Sequence, residues 1–205
     1  NEIEETGVTV TSIAQKISKN TKKAILSIEA GIKSVLKELA MPSAEFKISM
    51  MALKELNRRG ADLVQFLFNA NKGGELRELS KVASGGELSR LMLSIKSLIS
   101  IKSLLPTIIF DEIDQGVSGE IADKVGDIIK KMSNKIQVVS ITHLPQIASK
   151  GNTHLLVYKE TSGYQTRTRI KKLEKAERVK EIAKMLSGEK LTEIAIANAK
   201  VLLEN

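Results

Sequence analysis

Four short stretches carry residue types whose spacing can do chemistry. Ser84-Gly85-Gly86-Glu87-Leu88-Ser89-Arg90 stands where a loop gives way to a helical pattern. Paired glycines let the backbone approach an oxygen-rich ligand with no Cβ in the way. The free amides and positive dipole end of the following helix favour an anion such as a terminal phosphate. The same letters also spell a capping box, Ser84 with Glu87 three residues on, which any helix can carry. In Thr107-Ile108-Ile109-Phe110-Asp111-Glu112, two carboxylates close an apolar run. Leaving the C-terminal end of a buried parallel strand, they enter the crevice where α/β folds bind ligands. There Asp111 suits a magnesium anchor acting through water, and Glu112 a general base that polarises an attacking water. Acids that simply end a strand at the surface are the plainer account.

The third stretch, Asp114-Gln115-Gly116-Val117-Ser118-Gly119, is a glycine-bracketed loop ahead of a helix. It can reach across an interface to a second active site, or be a loop whose serine caps the helix. The fourth, Thr142-His143-Leu144-Pro145-Gln146, follows another apolar run. If the two strands are neighbours, His143 shares the crevice edge with Asp111 and Glu112 and can hydrogen-bond a γ-phosphate. A histidine there can equally be structural or merely exposed, and His154, inside a β-like segment, is assigned no role.

The elements that must hold these residues follow from periodicity. From Val10 to Leu39 there is no proline and one glycine, and Ile25, Ile28, Ile32, Val35 and Leu39 recur at steps of three and four. This spacing predicts a long helix, either packed on a head or forming the end of a coiled-coil stalk. Ala40-Met41-Pro42 stops it. Alternation at Phe46, Ile48 and Met50, a turn at Asn57-Arg58-Arg59-Gly60 and a β-rich run from Leu63 to Phe68 predict a hairpin, closed by the turn at Asn71-Lys72-Gly73-Gly74. A helix from Leu88 to Ile101, a buried strand at Ile108-Ile109-Phe110, a helix from Ser118 to Met132 and a buried strand from Ile136 to Ile141 then form a right-handed crossover with parallel strands. Two β-like segments, Thr153 to Tyr158 and Tyr164 to Ile170, and two helical ones, Ala176 to Leu186 and Thr192 to Leu203, complete the pass.

Taken in order, the glycine-rich helix start, the strand ending Asp-Glu, the Asp loop and the strand ending in His resemble the signature, Walker B strand, D-loop and switch histidine of an ABC-type nucleotide-binding domain. Lys81 to Arg90, Phe110 to Gly119 and Thr142 to Gln146 together resemble the RecN family, SMC-like ATPases of bacterial double-strand-break repair. Ala183-Lys184-Met185-Leu186-Ser187-Gly188 and Ala197-Asn198-Ala199-Lys200 near the end are also similar. The resemblance runs from about Met41 to the C-terminus, and another SMC-like or Rad50-like ATPase shares the order of motifs. It implies an α/β fold, the C-terminal lobe of an ABC/SMC-type ATPase head over residues 41–205, with a P-loop NTPase-like parallel sheet and flanking helices. Residues 1–40 are then a long helix, the end of a coiled-coil arm or a head-packing helix.

Further expectations come with the resemblance. ATP and Mg²⁺ are the cofactors, with Glu112 and His143 catalytic, Asp111 on the metal, and Ser84, Gly85, Gly86, Glu87 and Asp114 on nucleotide. No Gly-x-x-x-x-Gly-Lys-Ser/Thr occurs in the chain, since Gly73-Gly74 and Gly85-Gly86 are each followed by Glu. The Walker A lobe of the same protein is therefore an expected partner, and the isolated chain is expected to lack ATPase activity. A second head in an ATP-sandwiched homodimer and DNA are the other expected partners. The start at Asn1, without Met, reads as a cut inside a longer chain.

Composition is compatible with this. Of 205 residues, 42% are hydrophobic and 27% charged, enough for a core and for solubility. The net charge of +8 raises the local concentration of a polyanion, while 3% aromatic content argues against a base-stacking platform and for phosphate contact. No apolar run approaches a membrane span, and the first residues lack the marks of a signal peptide. Absence of cysteine excludes disulfides and suits a reducing compartment, and the expected location is the bacterial cytoplasm, at the nucleoid. The rival from a different class is a non-catalytic DNA-binding or assembly module with structural carboxylates.

Overall fold

The computed structural model describes residues 2–81, 85–102, 105–162 and 165–204. They form two compact units, Asn1–Ile99 and Ser100–Asn205.

The first unit is built on helix α1, Glu2–Glu38. Its buried residues are few: Ala14 in its first half and Ile32 and Leu36 near its end, with Leu39 just beyond the helix also sealed. Ile3, Val10, Ile13, Ile17 and Leu26 are exposed. The helix ends where Ala40 takes a left-handed conformation, φ 59°, with Met41 N–H returning to the Leu36 carbonyl at 2.9 Å, a C-cap that Pro42 then prevents from extending. The expected hairpin follows as β1, Glu45–Asn57, and β2, Gly60–Asn69, paired antiparallel. Asn57 Oδ1 accepts from Arg59 N–H at 2.7 Å, the side-chain-to-backbone bond that makes asparagine a turn residue. The hairpin lies along α1. Glu29 Oε1 accepts from Ile48 N–H at 2.7 Å, and Ser18 donates to the Asp62 carboxylate. A two-residue β3, Arg77–Glu78, adds to β2, and a 3₁₀ turn, Leu79–Lys81, follows. Phe46, Phe68 and Leu91 of α2, Gly85–Lys102, close the core around Ile32 and Leu36.

In the second unit, β4, Thr107–Asp111, and β5, Gln137–Ile141, pair in parallel across α3, Gly119–Ser133. The parallel pairing agrees with the sequence, but the expectation that these strands are buried needs correcting. Ile108, Phe110, Val138 and Ser140 share a face that is at least partly covered, whereas on the other face Ile109 is 61% exposed, Val139 40% and Ile141 52%. An apolar run has the same letters whether one face or both are covered, and here only one is. Helix α4, Pro145–Ser149, packs on α3. Gly126 permits this approach, since a Cβ there would stand 3.2 Å from the Gln146 carbonyl oxygen. β6, Leu155–Ser162, and β7, Gln165–Lys172, form a largely exposed antiparallel hairpin. Finally α5, Lys175–Ser187, and α6, Glu193–Glu204, pack through Ile182, Ala183, Ala195 and Ala199. No helix among the described residues is long and apolar enough to cross a membrane.

Candidate nucleotide site

The glycine motif lies in the first unit. Gly85 and Gly86 form the first turn of the 18-residue α2, where backbone amides lack intrahelical acceptors. Gly85 is exposed, and among the described residues a Cβ there would meet no atom within 4 Å. Glu87 is partly buried in the same turn. Ser84 lies outside the described residues, and with it the capping pair it would make with Glu87. Arg90, one turn on, donates from Nε to the Gly86 carbonyl at 3.2 Å and from Nη1 to the Leu39 carbonyl at 3.3 Å. A fixed guanidinium thus ties the start of α2 to the end of α1.

The second unit brings Asp111, Glu112, Asp114 and His143 to one end of the parallel strand pair. Asp111 is the last residue of β4, exposed and in register with Ile141. Glu112 follows at φ 48°, a left-handed conformation that a residue with a side chain adopts at some cost. Three bonds hold it there: its N–H donates to the Ile141 carbonyl at 3.2 Å, its carbonyl accepts from Gln115 N–H at 3.2 Å, and its Oε2 accepts from Gln115 Nε2 at 2.6 Å. The reversal turns an exposed carboxylate out from the strand end. Gly116, φ 75°, and Gly119, φ 54°, carry the loop into α3. Ser118 occupies the N-cap position of α3, but its hydroxyl makes no capping bond.

Asp114 is the interior member of the group, with 1% of its surface exposed. Its Oδ2 accepts a hydrogen bond from the Thr142 hydroxyl and lies 3.9 Å from Nδ1 of His143. Thr142 Oγ1 in turn accepts from Leu144 N–H at 3.0 Å, which fixes the turn into α4. The His143 side chain is 70% exposed. Thr142 and Gln115 are the residues to which sequence reasoning gave no role. A hydroxyl residue just after a strand and before the histidine was the available signal.

Behind His143, α4 is clamped at its far end. Lys150 Nζ reaches Asp127 at 2.9 Å and Asp123 at 3.2 Å on α3. Burial opposes the charge of Lys150, but the hydrogen bonds and fields of the two carboxylates more than offset it and hold its pKa above the usual lysine value. Arg178 of α5 donates to the carbonyls of Ser149, Gly151 and Asn152.

Among the described residues no group of three or more acidic or histidine side chains could hold a metal ion by itself. A single exposed carboxylate at a strand end fits Mg²⁺, which keeps several waters and takes one or two carboxylates plus phosphate oxygens. Asp111 is that carboxylate.

No protein-family model matches the chain. Curated relatives do. The chain is 41% identical over 191 residues to the DNA repair protein RecN of Rickettsia prowazekii, covering 93% of this chain and 34% of that protein. It is 43% identical over 194 residues to RecN of Bacillus subtilis, covering 89% and 34% respectively. By sequence the chain belongs to the RecN family. It spans about a third of the length of these relatives. Solved structures agree at the level of fold. The Pyrococcus furiosus Smc head domain with an extended coiled coil, bound to the C-terminal domain of ScpA, superposes with a TM-score of 0.61 at 18% identity, covering 87% of this chain and 43% of that one. A chain from a study of ATP-driven dimerization and DNA-stimulated activation of SMC ATPases gives 0.51 at 18% identity, covering 80% of this chain and 94% of that one. The fold of this chain is that of the SMC head domains.

Proposed function

We propose that this chain is the C-terminal lobe of an ATPase head that closes on ATP and Mg²⁺ and acts on DNA in double-strand-break repair and recombination, at the nucleoid in the cytoplasm. In this reading residues 41–205 are the lobe and residues 1–40 the end of a coiled-coil arm. Asp111 anchors Mg²⁺, Glu112 activates water, and His143 meets the γ-phosphate. Glu87 and the glycine turn of α2, with Ser84 before them, contact the nucleotide held by a second head, and the Asp114 loop lies toward that interface. Bound ATP would supply the γ-phosphate that bridges the two heads.

The observation that carries the reading is Glu112. It is an acidic side chain held exposed in a left-handed conformation directly after the strand that ends in Asp111, beside the strand whose C-terminal end leads to His143. Strain kept at an exposed acid has no evident structural gain and is typical of sites where a side chain must be aimed. The uncovered face of Ile109, Val139 and Ile141 supports a further lobe as partner, since such a patch is where an apolar sheet face would be covered. Mixing this chain with the Walker A lobe and Mg-ATP tests the proposal. Turnover is expected from the assembled pair and not from this chain alone. A folded, assembled mixture without turnover would leave only a binding or assembly module.

A further inference from the structure

The carboxylate of Asp114 has more to do than complete a loop. It is buried, and only Oδ2 has a hydrogen-bond partner, the Thr142 hydroxyl; Oδ1 is enclosed with no partner among the described residues. A buried carboxylate with spare acceptor capacity is costly unless another donor can reach it. The basic side chain recorded beside it is His143, with Nδ1 3.9 Å from Oδ2. That is about 1 Å beyond hydrogen-bond range, a gap that a small rotation of an exposed imidazole closes. Thr142 sits between the two in sequence. By donating to Asp114 and accepting from Leu144 N–H, it fixes both the carboxylate and the backbone on either side of His143.

The geometry points to Asp114 as a positioning residue for His143, held in place by Thr142: its carboxylate receives Nδ1–H of the imidazole and leaves Nε2 facing outward to the nucleotide phosphate. An imidazole whose one nitrogen is tied to a carboxylate has its tautomer and orientation set for work at the other. The D-loop aspartate then acts within its own lobe, through the histidine. This rests on the ATPase reading of the site.

The test uses the full-length protein that contains this chain, with steady-state Mg-ATP turnover measured for Asp114→Asn, Thr142→Val, Thr142→Ser and His143→Ala and for the double variant Asp114→Asn/His143→Ala. Asp114→Asn keeps an acceptor for Thr142 but weakens the pull on Nδ1, and kcat is expected to fall about tenfold with KM within about twofold. Thr142→Val should behave alike, and Thr142→Ser should restore turnover. The decisive comparison is the double variant: if Asp114 acts through His143, adding Asp114→Asn to His143→Ala lowers kcat no further. Equal losses in both backgrounds, or an unchanged kcat for Asp114→Asn, would overturn the assignment while leaving the ATPase intact. Wild-type protein without turnover would remove the ATPase reading and this role with it. Should Thr142→Val fail to fold, Asp114→Asn and the double variant decide alone.

Discussion

At the start of α2 the backbone stands open. A methyl group at Gly85 would touch no atom of the described residues, and among the described contacts of this turn only Arg90 braces it, through Gly86. At the strand ends of the second unit the reverse holds. Glu112 is pinned to Ile141 and Gln115, Asp114 to Thr142, Thr142 to Leu144, and α4 behind them to Lys150 and Arg178. A surface that receives a ligand carried by another body gains from being smooth and uncovered. A loop that must aim a proton acceptor at a reacting atom needs its geometry fixed before the ligand arrives. The difference therefore separates what each region contributes to stability from what it contributes to turnover.

The largest effect is expected at Glu112. In the protein assembled with its Walker A lobe, Glu112→Gln keeps the bond to Gln115 in outline but cannot take a proton from water, so kcat should fall about 10²- to 10⁴-fold, the usual range for loss of a general base. ATP-dependent association of heads should persist, because phosphate binding is untouched. Hydrolysis at the wild-type rate by this variant would show that the base lies elsewhere.

Lys150 tests the braces. Its side chain is buried, while Asp123 and Asp127 are each nearly half exposed, so Lys150→Met leaves carboxylates that water can still reach. A loss of about 1–2 kcal/mol in urea unfolding is expected, below the cost of a fully buried broken pair. The raised pKa means this contribution is fully present below the unfolded lysine value and is lost only as pH rises through the higher folded one. Stability unchanged at neutral pH would make the clamp ornamental.

Gly85 tests the open surface by its silence. Because no atom of the described residues lies where the new methyl would go, Gly85→Ala should shift the unfolding free energy by no more than about 0.5 kcal/mol. On the proposed closure of two heads, the same methyl would stand between backbone and phosphate, and turnover should fall about tenfold, which corresponds to about 1.4 kcal/mol. Loss of stability without loss of turnover would reverse the distinction drawn between the two regions.

These regions were not equally legible in the sequence. Long elements with clear periods, such as α1, the β1–β2 hairpin and α3, came through because many residues vote for the same period. α4, with five residues, and β3, with two, are too short to show one. Asp111, Glu112 and His143 were singled out by residue type, strand-end position and the order of the four stretches together, and the structure brings them to one end of the β4–β5 pair. Nothing local foretells that Glu112 is left-handed, or that Asp114 bonds to Thr142 twenty-eight positions away. The burial of β4 and β5 was misjudged for a related reason. Ile109 and Ile141 are written as core residues, but what covers a sheet face is decided by chain elsewhere.

The smallest effect concerns the floor beneath the braces. His154 is half-buried, its Nδ1 enclosed without a hydrogen-bond partner among the described residues, near the Arg178 that holds the carbonyls after α4. Burial and then the Arg178 charge hold its pKa below the ordinary histidine value, against a weaker opposing pull from Glu181. The unfolded chain therefore takes up the proton first as pH falls. Stability is fully present above about pH 6.5 and declines as pH drops toward the lower folded value, by at most about 1.4 kcal/mol per pH unit for one group. Urea unfolding between neutral and mildly acidic pH should show this slope, and His154→Gln should flatten it. If the slope survives the substitution, another group links unfolding of the second unit to protons. The strand-end loops would then be braced independently of His154.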